Sequence, residues 1–197
     1  MLVTASRLAG FPVLSLHIGG ATAWVKEAII DPRKLKIVAF YVEGPLVRGE
    51  IGNILDTKMI REMSAIGMVI DSADDFAFPG DIVKIDKVRE DKFRIDGLKV
   101  VTKKGSKLGK VVDYTVDTAD FRVMQIVVKR PAIKAVLDPE LVISRKEIVE
   151  ITNEKIVVRD EEEKIKKRAT REDFVPNFVN PFRNGRYSES YRSSGEE

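Results

Sequence analysis

The chain contains an internal repeat, and this repeat limits the possible folds more than any other feature. Residues 22–31 (TAWVKEAIID) and 107–117 (KLGKVVDYTVD) carry apolar and acidic side chains in nearly the same order. At an offset of 86 positions the matching pairs are Val25 with Val111, Glu27 with Asp113, Ile30 with Val116, and Asp31 with Asp117. With two further residues inserted, the matches continue as Ile60 with Ile148, Met63 with Ile151, and Val69-Ile70 with Val157-Val158. Because acidic residues recur at fixed places within the apolar pattern, the sequence predicts a duplicated small domain.

Each copy is predicted to be mainly β. Segments 36–44 (KIVAFYVEG) and 121–129 (FRVMQIVVK) are rich in β-branched and aromatic residues and are short for helices. Glycine-, proline- and aspartate-containing turns separate such segments. Short strands at close spacing favour a small barrel, because a closed barrel leaves no exposed strand edge. One short helix or helical turn per copy is expected, at residues 56–63 and 144–150, with an Asp or a Ser at the N-cap position.

The predicted organisation is two tandem small β-barrels with short helices, followed by a charged helix and a disordered tail. The first domain spans residues 1–75 and the second spans residues 93–158. Residues 76–92 form a connector that is too apolar for a free linker, so we expect it to pack on both domains. Residues 159–173 place acids four positions ahead of lysines, which supports an exposed helix. Residues 174–197 have no periodic apolar pattern, and we expect disorder.

A second pattern extends beyond the repeat. In the second copy its residues are Gly97, Val100, Gly105, the run Leu108-Gly109-Lys110-Val111-Val112-Asp113, Asp117, Ile148 and Ile156-Val157-Val158. The first copy keeps Gly10, Val13, Asp31 and Ile60, but it has Ala23 at the glycine position and Glu27 at the acid position. This pattern resembles the PRC-barrel family, named after the photosynthetic reaction centre H subunit, over roughly residues 5–75 and 93–160. The resemblance implies the barrel fold. It does not imply one function, because members serve in photosynthetic membranes, in ribosome maturation and in many uncharacterised proteins.

Catalysis is not expected from this composition. The chain has no cysteine, which excludes disulfides, thiolate metal sites and cysteine nucleophiles. The single histidine, His17, is interpreted as a turn residue rather than a general base. We interpret Asp71, Asp74 and Asp75 as a solvated acidic turn, the alternative being a site for a hard cation such as calcium. No catalytic, cofactor-binding or metal-binding residue is predicted, and no cofactor or small-molecule substrate is expected.

Membrane insertion is not expected either. The longest uncharged stretch, residues 8–25, is interrupted by Pro12, His17 and the pair Gly19-Gly20. It is therefore a poor membrane span, and it lacks the flanks of a signal peptide. The sequence leads us to expect a cytoplasmic protein.

The repeated acids and the single tryptophan each have two interpretations. The acids, Glu27 with Asp113 and Asp31 with Asp117, are interpreted as residues that bond turn amides and hold strand register. The alternative is a shared ligand site. Trp24 is interpreted as a core residue, and the alternative is a surface anchor for a partner.

A basic set in the second copy is a candidate nucleic-acid patch. Its members are Lys103, Lys104, Lys107, Lys110, Lys129, Arg130 and Lys134, with Lys99 nearby. If the fold brings their loops to one end, they form a surface able to contact phosphates. No aromatic residue interleaves with the lysines, so a base-stacking platform is missing. A solvated hairpin is the alternative.

The tail contains a candidate docking motif. Phe174, Phe178 and Phe182 recur every four residues in a segment that is not expected to fold alone. The alternative is that the tail folds back on the barrels. The function that we predict is a non-catalytic adaptor or assembly module with protein partners. The alternative function is an RNA- or ribosome-associated maturation or processing factor.

Overall fold

The computed structural model describes residues 1–45, 47, 53–131 and 139–160. Met1–Asp160 form one compact unit that is mainly β, as predicted, and the described residues contain one α-helix. That helix is too short to cross a membrane, and the described residues contain no other candidate. The predicted tail and its phenylalanines lie outside the described residues, as does the predicted charged helix from residue 161 onwards.

The strands fall into two halves joined by a connecting segment. The first half contains β1 (Leu2–Thr4), β2 (Pro12–Ser15), β3 (Gly20–Asp31), β4 (Lys36–Glu43), β5 (Asn53–Asp56), β6 (Glu62–Met63) and β7 (Met68–Ile70). The connecting segment contains β8 (Phe76–Ala77) and helix α1 (Val83–Glu90). The second half contains β9 (Lys99–Thr102), β10 (Lys107–Asp117), β11 (Arg122–Lys129), β12 (Glu140–Ser144), β13 (Ile148–Ile151) and β14 (Lys155–Val158).

The two halves follow the same pattern of strand pairing. In the first half β3 pairs antiparallel with β2 and β4, β4 pairs with β5, and β2 runs parallel to β7. In the second half β10 pairs antiparallel with β9 and β11, β11 pairs with β12, and β9 runs parallel to β14. The bulges also correspond, since the register shifts between Val25 and Glu27 in one half and between Val111 and Asp113 in the other.

Each half contains the helical turn that the sequence predicts. A 3-10 turn spans Thr57–Met59 in the first half and Arg145–Glu147 in the second. The side chains of Asp56 and Ser144 each accept a hydrogen bond from the amide two residues further on, at 3.0 and 3.4 Å. Both predicted caps are therefore confirmed, because a short polar side chain before the turn satisfies one of its free amides.

The strands of both halves join into one strongly curled, half-barrel sheet, so two separate barrels are not confirmed. β4 meets β11 with Lys36 opposite Arg122, and β1 pairs along β10. Apolar packing also crosses the junction, where the rings of Phe40 and Phe121 meet edge to face at 5.8 Å. One core cluster contains buried residues from both halves. The sequence predicts the strands, but it does not show which strand edges meet.

The connecting segment packs on the first half. Ile85 and Val88 of α1 are buried against Ile29, Ala39 and Ile54, while β8 pairs with β5. Helix α1 was not predicted from the sequence. Its eight residues, VKIDKVRE, are mostly charged, and only two of them are buried. The helix therefore has only a weak apolar pattern of its own, and tertiary contacts stabilise it.

Candidate functional site

Four exposed lysines form a row across four neighbouring strands of the second half. Lys110 on β10 lies opposite Lys99 on β9 and opposite Lys129 on β11. Lys99 in turn lies opposite Lys155 on β14. Neighbouring strands are about 4.8 Å apart, so the row covers about 14 Å of the sheet. We call these four residues the lysine row.

The lysine row is electrostatically unfavourable in the isolated protein. Like charges directly opposite each other on neighbouring strands are destabilising. One acid, Glu140 on β12, lies opposite the end of the row at Lys129. None of the four lysines forms an ion pair with a described carboxylate. A bound polyanion would remove this repulsion, so the row is suited to contact phosphate groups.

The structure brings together part of the predicted basic patch. Lys110 and Lys129 are neighbouring members of the row, and their direct pairing across β10 and β11 was not visible in the sequence. Lys155 was missed because it lies 45 positions after Lys110 and joins the row only through the parallel pairing of β14 with β9. Its position directly before the apolar run Ile156-Val157-Val158 was the available signal.

The other predicted basic residues surround the row or lie apart from it. Lys107 begins β10, and Lys103 and Lys104 lie in the exposed turn that joins β9 to β10. Arg130 follows β11 and is half-buried, and its backbone amide donates to the Pro139 carbonyl oxygen at 2.9 Å. Lys134 lies outside the described residues.

The first half presents different side chains at the corresponding place. Trp24 on β3 lies opposite Pro12 on β2 and opposite Glu43 on β4. Trp24 is 40% exposed, so the core position predicted for it is wrong. The neighbouring residue Val25 is buried, and alternation along a strand turns Trp24 to the other face.

The repeated acids have two different environments. Asp31 accepts a hydrogen bond from the Arg33 amide at 3.0 Å, and Asp117 accepts one from the Ala119 amide at 3.1 Å. For this pair the turn interpretation is confirmed. Glu27 and Asp113 instead lie beside the strand bulges and line one pocket.

That pocket, of about 480 Å³, has an acidic lining drawn from both halves. Arg94 binds Glu27 through its guanidinium group at 2.5 Å. Asp113 accepts hydrogen bonds from the backbone amide of Ser6 at 3.2 Å and from its hydroxyl at 2.7 Å. Asp96 also lines the pocket. Arg94 and Asp96 were not predicted as site residues, because they lie between the connector and β9 outside any repeated pattern.

Two groups that line this pocket, Asp96 and Tyr114, have raised pKa values. Partial burial raises the pKa of the Asp96 carboxyl above its usual range, Asp113 raises it further, Arg94 opposes the rise and Glu27 adds to it. Burial also raises the pKa of the Tyr114 hydroxyl, with Asp96 as the next cause. Each carboxylate therefore disfavours further negative charge, and the pocket suits a cation or a hydrogen-bond donor better than an anion.

The acids of the predicted acidic turn are engaged by the protein itself. Asp71 forms an ion pair with Arg61. Asp75 accepts hydrogen bonds from the amides of Asp71 and Ser72, and the Ser72 hydroxyl donates to Asp74 at 3.1 Å. Among the residues that the structure describes, no group of three or more His, Asp or Glu side chains is arranged to hold a metal ion.

Comparison with known proteins supports the resemblance inferred from the sequence. Residues 93–165 match the family model of the PRC-barrel domain. No curated protein matches the chain. The matched range begins at Phe93 and takes in the strands from β9 to β14, including all four residues of the lysine row. A PRC-barrel domain is therefore present in the second half of this chain.

Proposed function

We propose that this chain is a non-catalytic tandem PRC-barrel protein, which acts as an adaptor or assembly module for other macromolecules. The observation that carries the proposal is the pattern of strand pairing that the halves share, with different side chains exposed at corresponding places. Trp24 opposite Glu43 in the first half corresponds to Lys110 opposite Lys129 in the second. An adaptor needs this combination, because one framework then presents two chemically distinct surfaces.

The tandem arrangement is supported by hydrogen bonds as well as by topology. The Val25 amide donates to Phe11 at 2.9 Å, and the Val111 amide donates to Leu98 at 3.0 Å. Val25 and Val111 are both buried, at 3% and 2% exposure. A duplicated barrel in which each copy kept its inner positions and changed its outer ones accounts for this similarity.

A pull-down from native lysate, with and without nuclease, tests the adaptor proposal. We expect the intact chain to retain protein partners after nuclease treatment. Trp24→Ser should reduce this capture without lowering the melting temperature, because an exposed aromatic side chain contributes more to binding than to the core. Val149→Ser, at a side chain 48% exposed in the second half, is the matched control. If every captured protein is lost with nuclease, or if both variants behave alike, the adaptor proposal fails.

RNA association is the second candidate, and the lysine row favours it. The row offers four adjacent cations, and neutralising phosphates releases counterions into solution. Because no aromatic residue belongs to the row, its lysines would contact the sugar-phosphate backbone of the RNA, and binding would be largely independent of base sequence.

RNA binding through the row should depend steeply on salt. We expect the combined change of Lys99, Lys110, Lys129 and Lys155 to glutamine to make the slope of log K against log salt shallower by about 3, since each single-strand phosphate contact contributes about 0.7. Fluorescence anisotropy with a labelled RNA oligonucleotide measures the slope. The same change at Lys26, Lys87, Lys92 and Lys146, four exposed lysines outside the row, is the control. Equal slopes for both variants would remove the row from the RNA hypothesis.

A further inference from the structure

A second basic surface lies at the junction of the two halves. A groove of about 780 Å³ is bordered by cationic side chains from several elements, among them Lys34, Lys36, Lys58, Lys84, Arg122 and Arg145. Its apolar lining comes from β4 and from the connecting segment, including Ile85 and Val88 of α1. We call this the junction groove. It is separate from the lysine row, none of whose residues line it.

Two of the cations that line the groove meet where β4 pairs with β11. Lys36 on β4 lies directly opposite Arg122 on β11, so both side chains leave the sheet on the same face. Arg122 forms an ion pair with Asp120 at 3.0 Å, whereas Lys36 has no ion pair with any described carboxylate. On its other side each cation lies opposite an acid, Lys36 opposite Asp31 on β3 and Arg122 opposite Asp117 on β10, so the sheet itself offsets the repulsion between the two cations.

The carboxylates that line the groove do not neutralise it. Asp31 accepts a hydrogen bond from the Arg33 amide at 3.0 Å and lies 3.6 Å from the Arg33 guanidinium group. Asp56 accepts from the Lys58 amide at 3.0 Å as the cap of its turn. Lys34, Lys58 and Lys84 have no ion pair with a described carboxylate. The groove therefore keeps a net positive charge.

Part of the groove is held rigidly. The Arg145 guanidinium group donates to the carbonyl oxygens of Lys34 at 2.5 Å and Leu35 at 2.8 Å. These bonds tie the second half to the turn between β3 and β4, and they fix the backbone that carries Lys34 and Lys36. The backbone of this part of the groove is therefore fixed before a ligand binds, and only the lysine side chains have to be ordered on binding.

The size and lining of the groove indicate the class of ligand. Its volume falls in the range of small-molecule sites, about 300–1,000 Å³. Lysine side chains bind phosphate as point charges. Four lysines that form no ion pair with a described carboxylate are more than a single phosphate requires. We propose that the junction groove binds a small ligand carrying two or more adjacent phosphate groups. The proposal goes beyond the adaptor function and does not depend on it.

Calorimetric titration of the full chain tests the proposal. Inorganic tripolyphosphate and ATP are expected to bind, and AMP to bind at least tenfold more weakly, because fewer charge-assisted contacts form. Tighter binding of ATP than of tripolyphosphate would show that the organic part contacts the apolar lining. Equal affinities would identify the phosphate chain alone as the recognised group. Absence of binding by both ligands at low salt would overturn the proposal.

Two variants locate the site. Lys36→Glu should weaken tripolyphosphate binding about tenfold or more, because it replaces a cation of the groove by an anion. Lys84→Gln on α1 should also weaken binding, and it leaves the residues that pair β4 with β11 unaltered. Lys92→Glu makes the same charge change as Lys36→Glu outside the groove and should leave binding intact. If all three variants lose affinity equally, or if affinity is lost only when the lysine row is replaced, the groove is not the site.

Discussion

Gly109→Ala is expected to destabilise the protein by about 3–5 kcal/mol, from the sum of a strained backbone and a steric clash. Gly109 lies within β10 at φ +151°, where side chains are rarely tolerated. A Cβ atom there would overlap the backbone carbonyl of Lys129 on the neighbouring strand. The backbone of β11 would have to move, and the pairing that holds Lys110 opposite Lys129 would be disturbed. Urea denaturation followed by circular dichroism measures the loss.

The corresponding place in the first half provides a comparison. There Ala23 stands where the second half has Gly109, and the close approach is made by Gly44 instead. A Cβ on Gly44 would lie 2.7 Å from the Thr22 carbonyl oxygen, so Gly44→Ala should cost about 1–3 kcal/mol. Gly20→Ala is the control, because nothing lies within 4 Å of its Cβ position. A Gly109→Ala protein as stable as Gly20→Ala would contradict the close approach of β10 to β11.

Phe40→Ala is expected to cost about 3–5 kcal/mol, as truncation of a buried phenylalanine usually does. Phe40 is completely buried and meets the ring of Phe121 from the other half at 5.8 Å. Phe78→Ala, at a side chain 43% exposed, should cost far less. Thermal and urea denaturation of the unaltered protein, Phe40→Ala and Phe78→Ala measure the differences in stability.

Adding Phe121→Ala tests whether the halves unfold together. Because Phe40 and Phe121 share one core, Phe40→Ala and Phe121→Ala should be non-additive in a double-mutant cycle. A single cooperative transition is expected, with Phe40→Ala lowering its midpoint. Two resolved transitions, only one of them moved by Phe40→Ala, would mean that the halves unfold separately and that the shared core contributes little.

The candidate sites were only partly predictable from the sequence. Lys110 and Lys129 were identified because each lies in a locally basic segment. Lys155 and Lys36 were missed, since each gains its role from a strand that pairs with it across the fold. The acidic pocket shows the same limit. Glu27 and Asp113 were visible as a repeated pair, but Asp96 and Arg94 meet them only in three dimensions.

Local pattern was sufficient for the mainly β character, the two capped turns and the PRC-barrel resemblance of the second half. Each of these depends on residues a few positions apart: β-branched runs form strands, and Asp56 and Ser144 cap the turns that follow them. The joining of both halves into one sheet needed the tertiary structure. Backbone groups at a strand edge are chemically alike whatever the sequence, so the edge that pairs is chosen by long-range packing such as that of Phe40 against Phe121. That choice places Lys36 opposite Arg122 and creates the junction groove.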